Sequence, residues 1–231
     1  MFPIKDNIRA RRFPAVNLWL IVVNLLCFVY EFSLGGELNH FIQSYGFVPA
    51  RFMAAQTENF FDLSRFLPVF SSMFLHGGLL HLFFNMWMLW IFGDNVEDSM
   101  GHGRYLLFYL LCGIASVFAQ GVADPMSHIP MVGASGAISG VLGAYFILYP
   151  GAKILTLIPI FIIFYTVEIP AFIFLGLWLV AQFLRGYASQ MAAEGQVMGG
   201  VAWWAHIGGF LAGVVLIRFF RKKTTKSGSR R

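Results

Sequence analysis

Charge is what this chain has least of. Asp, Glu, Lys and Arg make up 12% of its 231 residues, against 58% hydrophobic and 17% aromatic. A water-soluble domain of this size cannot cover its surface from so small a charged set, so a soluble fold is excluded. Cysteine is almost absent: Cys27 and Cys112 both fall inside apolar runs, which rules out a disulfide framework or a cysteine metal site and leaves packing as their role. Also missing are segments of about ten residues that alternate apolar and polar, the mark of a membrane β-barrel. No internal repeat is visible. What the chain does contain is about six long apolar runs, each near the ~20 residues that one membrane crossing needs.

The runs read as spans over residues 16–34, 79–96, 105–122, 132–149, 170–184 and 201–219. The expected fold is an all-α bundle of six transmembrane helices forming one domain, residues 1–231, with residues 220–231 as a basic tail. Basic residues gather at the two ends: Arg9, Arg11 and Arg12 before the first span, and Arg218, Arg221, Lys222, Lys223, Lys226, Arg230 and Arg231 around the end of the last. The positive-inside rule then puts both termini in the cytoplasm, in agreement with an even number of crossings. A basic tail abutting a span is a topology signal or an anionic-lipid contact, and no nucleic-acid partner is expected. The first run, about 19 residues without a small-x-small cleavage site, reads as a retained span and not a signal peptide. A compact chain without a transit peptide is expected in a bacterial inner membrane.

Two connections stand out. Residues 35–76 are long and rich in Phe, and are expected to lie in the outer interface with structure or function of their own. Residues 154–169 carry Glu168 as their single charge, with Pro159 inside and Pro170 just after. They are expected to lie against the cytoplasmic surface as a connection, with Pro170 in the first turn of the fifth span and Glu168 near that helix's N-terminus.

Spans two, four and six run inward from the outer face, and their first turns hold the conspicuous polar residues: His81 and Asn85, Ser135, and His206. His81 and Asn85, four apart, share one helix face. Ser135 lies five residues past Pro130, on the order of 8 Å below the expected helix start. Gly136, Gly140 and Gly143 in one span, and Gly209 and Gly213 in the other, are small-residue stripes that let membrane helices approach closely. Ser135 thereby comes within reach of His206, the base that a serine hydroxyl requires to act as a nucleophile. Acyl transfer also needs donors for the oxyanion, and the Ser135 amide, the Asn85 amide and a His81 ring nitrogen can supply them. His76, about 140° around a helix from His81, is expected to face elsewhere and make a structural hydrogen bond. A zinc site drawn from His76 and His81 has no neighbouring carboxylate and lacks the His-Glu-x-x-His arrangement, so no metal and no other cofactor is expected. A transporter would need a polar path continuing inward, and none continues.

The succession Phe74-Leu75-His76-Gly77-Gly78 through His81 and Asn85, then Gly133-Ala134-Ser135-Gly136, then Ala205-His206 with Gly209 and Gly213, resembles the rhomboid family of intramembrane serine proteases over residues 66–213. The resemblance implies Ser135 as nucleophile, His206 as general base, and His81 and Asn85 as oxyanion-hole side chains, with no acidic third member. It also implies the six-span fold, transmembrane segments of other proteins as substrates, and a lid role for residues 186–200. The chain departs from many relatives in two places. Phe66-Leu67-Pro68 stands where they carry a Trp-Arg pair in the first outer loop, and Ser139 stands where they place an aromatic that packs on the base. The orientation of His206 must therefore depend on something else. A non-catalytic rhomboid-like protein that binds unstable transmembrane helices is the alternative, but its cheapest mark would be loss of the serine or histidine, and both are present.

Overall fold

The computed structural model describes residues 1–58, 63–192 and 202–222. Strand β1 (Phe2–Asp6) precedes helix α1 (Ala15–Ser33); α2 (Leu38–Tyr45), α3 (Pro49–Glu58) and α4 (Leu67–Ser71) occupy the long connection to α5 (Leu79–Met100). Helices α6 (His102–Ala123) and α7 (Ser135–Leu148) follow, then strands β2 (Lys153–Ile160) and β3 (Ile163–Pro170), then α8 (Ala171–Ala192) and α9 (Trp203–Phe220). By length and composition α1, α6, α8 and α9 can cross a membrane, and the segment Leu63–Phe74 together with α5, bent by 80°, makes a fifth candidate. Helix α7, at 14 residues, is shorter than a span requires. Length alone therefore does not deliver the six crossings expected from the sequence.

What α7 lacks in length it has in burial: every residue from Gly136 to Tyr145 is buried, with α5, α6, α8 and α9 packed around it. The closest seam is with α9. A Cβ built on Gly209 would lie 2.0 Å from the Gly136 carbonyl oxygen, one on Gly213 2.0 Å from that of Gly140, and one on Gly143 2.2 Å from that of Phe210. Only hydrogen fits at these points, so the two backbones touch directly, as the glycine stripes predict. The outward faces stay apolar. Leu26, Val29, Phe32 and Trp90 are exposed, the surface a helix presents to lipid and not to water.

Helix α1 is fastened at one end to α5 and at the other to the segment just before it. Glu97 of α5 accepts the amides of Val16 (3.0 Å) and Asn17 (2.7 Å), supplying acceptors to the free donors of the first turn of α1. Glu31, near the other end, accepts the backbone N–H of His76 at 3.1 and 3.2 Å. Between them the Asn17 amide donates to the Leu89 carbonyl (3.0 Å) and its oxygen accepts from the Tyr105 hydroxyl (2.8 Å).

The expectation of an all-α fold needs correction. β1, β2 and β3 form a three-stranded antiparallel sheet in that order, with Phe2 opposite Leu157 and Ile154 opposite Ile169. The stretch read as a connection lying against the membrane is thus a hairpin, its turn at Phe161 with φ +54°. Alternation was invisible because both faces are apolar: Ile160, Ile163, Phe164 and Tyr165 are all exposed, and a strand without a polar face carries no period-two signal. Pro170 closes β3 instead of opening the fifth helix. Glu168 is on that strand, paired with Lys153 Nζ at 2.7 Å, and not at a helix N-terminus. The free edge of β1 runs beside α5, where the Trp87 indole donates to the Pro3 carbonyl (2.7 Å). Asp6 accepts from the Tyr145 hydroxyl (2.5 Å) and the Asn95 amide (2.9 Å); burial pushes its carboxyl pKa up, and the Tyr145 hydrogen bond opposes that shift.

Candidate active site

Ser135 is the first residue of α7, not a turn and a half below the helix start as its spacing from Pro130 suggests. The approach through Met131 is not helical: Met131 and Phe47 exchange backbone hydrogen bonds at 2.7 and 3.0 Å, and the Gly133 amide donates to Ser72 at 2.8 Å. At a first helical position the Ser135 N–H has no acceptor within its own helix and is free to serve an oxyanion. Gly133 is needed for two reasons. Its φ is +127°, and a Cβ there would lie 2.7 Å from the His81 ring and 3.5 Å from Ser135 Oγ. Glycine alone accepts that backbone without strain and lets the His81 ring settle beside the serine.

His206, in the first turn of α9, completes the arrangement. Its Nε2 is 2.8 Å from Ser135 Oγ and its Nδ1 is 2.8 Å from Gln182 Oε1 on α8. With the amide oxygen accepting from Nδ1–H, the Nε2 lone pair faces the hydroxyl, which is the tautomer a general base needs. An amide is also a cheaper buried partner than a carboxylate, because it carries no charge out of water.

Gln182 was not found from the sequence. A signal existed: Leu175, Trp178 and Gln182 fall at i, i+3 and i+7, one stripe of α8, and Leu175 and Gln182 are both buried. Trp178 supplies the aromatic face that position 139 lacks, its ring 6.1 Å from that of His206 at 34°, while Trp203 approaches edge-on at 6.1 Å and 88°. Ser139 takes no part. Its hydroxyl turns back to the Ser135 carbonyl at 2.6 Å.

Asn85 and His81 stand in the wall of a cavity of about 600 Å³ that also holds Ser135 and His206. The Asn85 Nδ2 is buried and, among the described residues, has no hydrogen-bond partner, a state costing about 1–3 kcal/mol and therefore in need of a functional explanation. An amide donor held unpaired beside a serine hydroxyl has the geometry that an oxyanion hole would require before substrate arrives.

His76 does not face elsewhere. The angular estimate assumed one continuous helix, but α5 begins at Leu79, and the His76 ring lies 5.2 Å from that of His81. The structural hydrogen bond expected of its ring is not made: both ring nitrogens are buried without a partner among the described residues, and only the backbone N–H is held, by Glu31. Among the described residues no group of three His, Cys, Asp or Glu side chains is placed to hold a metal ion. Of the stretch 186–200 given a lid role, residues up to Ala192 continue α8, and 193–200 lie outside the described residues.

The family model described as the Rhomboid domain matches residues 63–223. The chain belongs to the rhomboid family. Among its relatives, Rhomboid protein 1, mitochondrial, of Saccharomyces cerevisiae is 30% identical over 169 residues, covering 71% of this chain and 45% of that protein. Presenilin-associated rhomboid-like protein A, mitochondrial, of Danio rerio is 30% identical over 172 residues, covering 71% and 40%. Rhomboid protease GluP of Bacillus subtilis is 50% identical over 70 residues, covering 30% and 13%. The chain spans less than half the length of each of these proteins. With a rhomboid domain and several apolar helices of spanning length, this rhomboid is an integral membrane protein.

Proposed function

We propose that this rhomboid is an intramembrane serine endopeptidase that cleaves transmembrane segments of other membrane proteins near the outer face. The observation that carries the reading is the 2.8 Å contact between Ser135 Oγ and His206 Nε2, with Gln182 on the opposite ring nitrogen. In the proposed reaction His206 Nε2 takes the hydroxyl proton as Oγ attacks the substrate carbonyl. The oxyanion is received by the Ser135 amide, the Asn85 side chain and a His81 ring N–H. The imidazolium gives its proton to the leaving amine, and a water activated by the same base then hydrolyses the acyl-enzyme. The reading includes six crossings with both termini cytoplasmic, α7 being a short span buried from Gly136 to Tyr145, and one domain with a basic tail at 220–231. A bacterial membrane address is part of it; the 50% identity to the Bacillus subtilis protein over 70 residues supports it, whereas the two relatives matched over 71% of the chain are mitochondrial proteins.

Detergent-purified protein incubated with a fluorophosphonate probe should be labelled at Ser135 and should cleave single-span substrates, releasing their outer portions. Ser135→Ala and His206→Ala should each abolish cleavage with the fold intact. Cleavage by Ser135→Ala would overturn the serine mechanism, and a wild type that binds single-span helices without labelling or cleavage would establish the non-catalytic binder instead.

A further inference from the structure

At the end of the bundle opposite Ser135, residues from the two ends of the chain meet. The Arg11 amide donates to Asp98 Oδ2 at 3.1 Å and the Lys222 amide to the Ser99 carbonyl at 3.0 Å, so the segment before α1 and the residues just after α9 are fastened to neighbouring residues at the end of α5. Between them opens a cleft of about 870 Å³ lined by Arg9, Arg11, Arg221 and Lys222, with Asp98 as its one carboxylate. Among the described residues none of these four side chains forms an ion pair. Four cations facing one carboxylate across a shared cleft repel one another unless an anion joins them. Ile8 and Leu148 line the same cleft, so apolar surface adjoins the charge.

We infer that this cleft binds the phosphate headgroup of an anionic phospholipid, which bridges the amino-terminal segment to the end of α9. The forked guanidinium groups of Arg9, Arg11 and Arg221 match phosphate oxygens geometrically. Position selects a lipid over a soluble phosphate. The cleft lies at the C-terminal ends of α5, α7 and α9, ~20 Å along α7 from Ser135, the level at which a thin bilayer places its second headgroup layer. Ile8 and Leu148 offer the glycerol and upper acyl carbons a dry contact. Because α9 carries His206, the bound lipid stabilises the helix that presents the base without touching the reaction.

The test compares full-length protein in nanodiscs of phosphatidylcholine with the same protein in discs doped with phosphatidylglycerol. The anionic lipid should raise the thermal midpoint by roughly 5 °C, and native mass spectrometry should find phosphatidylglycerol retained. Arg9→Gln combined with Arg221→Gln should lose both effects, as should Arg11→Gln with Lys222→Gln, whereas Lys153→Gln, a cation outside the cleft, should keep them. Equal stabilisation of wild type and both double variants would overturn the site as a general surface effect. Full stabilisation by inorganic phosphate in phosphatidylcholine discs would overturn the lipid in favour of a free anion.

Discussion

Helices α9 and α8 both bring a side chain to the same imidazole, and they are held in different ways. Helix α9 meets α7 backbone to backbone, with glycine α-carbons against carbonyl oxygens at Gly209 and Gly213. Helix α8 reaches the bundle through side chains: Phe174 stacks on Phe92 at 6.5 Å, the Trp178 ring lies tilted against that of Phe210 at 6.1 Å, and Gln182 ends on His206. Along its other face Phe172, Leu177, Val180 and Leu184 are exposed. A backbone contact has no rotamers and cannot adjust, so the separation of the two helices that carry Ser135 and His206 is fixed by two main chains. A side-chain contact can relax. Ser135 and His206, the proposed nucleophile and base, are therefore carried by rigidly apposed helices, while Gln182 rides on an element able to shift without separating them.

The sharpest way to break this contrast is to put the same bulk on each helix. Gly209→Val should abolish turnover and lower thermal stability, because the added carbon meets the Gly136 carbonyl and overpacking of this kind costs about 1–3 kcal/mol or more. Gly176→Val on α8, where a Cβ meets nothing within 4 Å, should leave both near wild type. Similar losses for the two would show that the glycine seam is not special.

Asn85→Ala removes a donor from the proposed oxyanion hole, not from either seam, and should lower kcat by ~100 to 1,000-fold with little change in KM. An unchanged kcat would take Asn85 out of the site. Gln182→Leu tests the adjustable side of the comparison. Losing one buried hydrogen bond should slow both turnover and fluorophosphonate labelling of Ser135 by roughly tenfold, with partial rescue in Gln182→Asn. If labelling is unaffected, the amide does not orient the base. The smallest effect is expected for Ser139→Ala, within about twofold, since its hydroxyl serves only the Ser135 carbonyl. A variant as inactive as Ser135→Ala, yet stable, would mean that the wrong face of α7 has been taken as catalytic.

Ser135, His206, His81 and Asn85 were legible as candidates because polar side chains are conspicuous in apolar helices and the glycines around them told which helices could touch. Gln182 was hidden by its setting. A glutamine near the end of a span reads as interfacial unless its stripe with Leu175 and Trp178 is followed. His76 was misplaced because a periodicity argument was carried across the break before Leu79. The sheet escaped for a different reason: β2 and β3 have no polar face, so their residues looked like any other membrane-associated run, and the third strand comes from Phe2–Asp6, some 150 positions away in sequence. Long-range pairing leaves no local signal.

The carboxylates that hold α1 have a consequence for how the molecule assembles. α1 precedes α5 in the chain, yet its fastenings reach 45 residues ahead from Glu31 to His76 and 81 ahead from Val16 to Glu97. Seating α1 is thus a loop closure across the whole connection between α1 and α5. The entropy of such a closure grows only with the logarithm of loop length, about 0.6 kcal/mol for each doubling. The connection can therefore lengthen at its exposed parts, and acquire new surface there, with almost no penalty to the docking of the first helix, whereas loss of Glu31 or Glu97 would remove a fastening whatever the loop between.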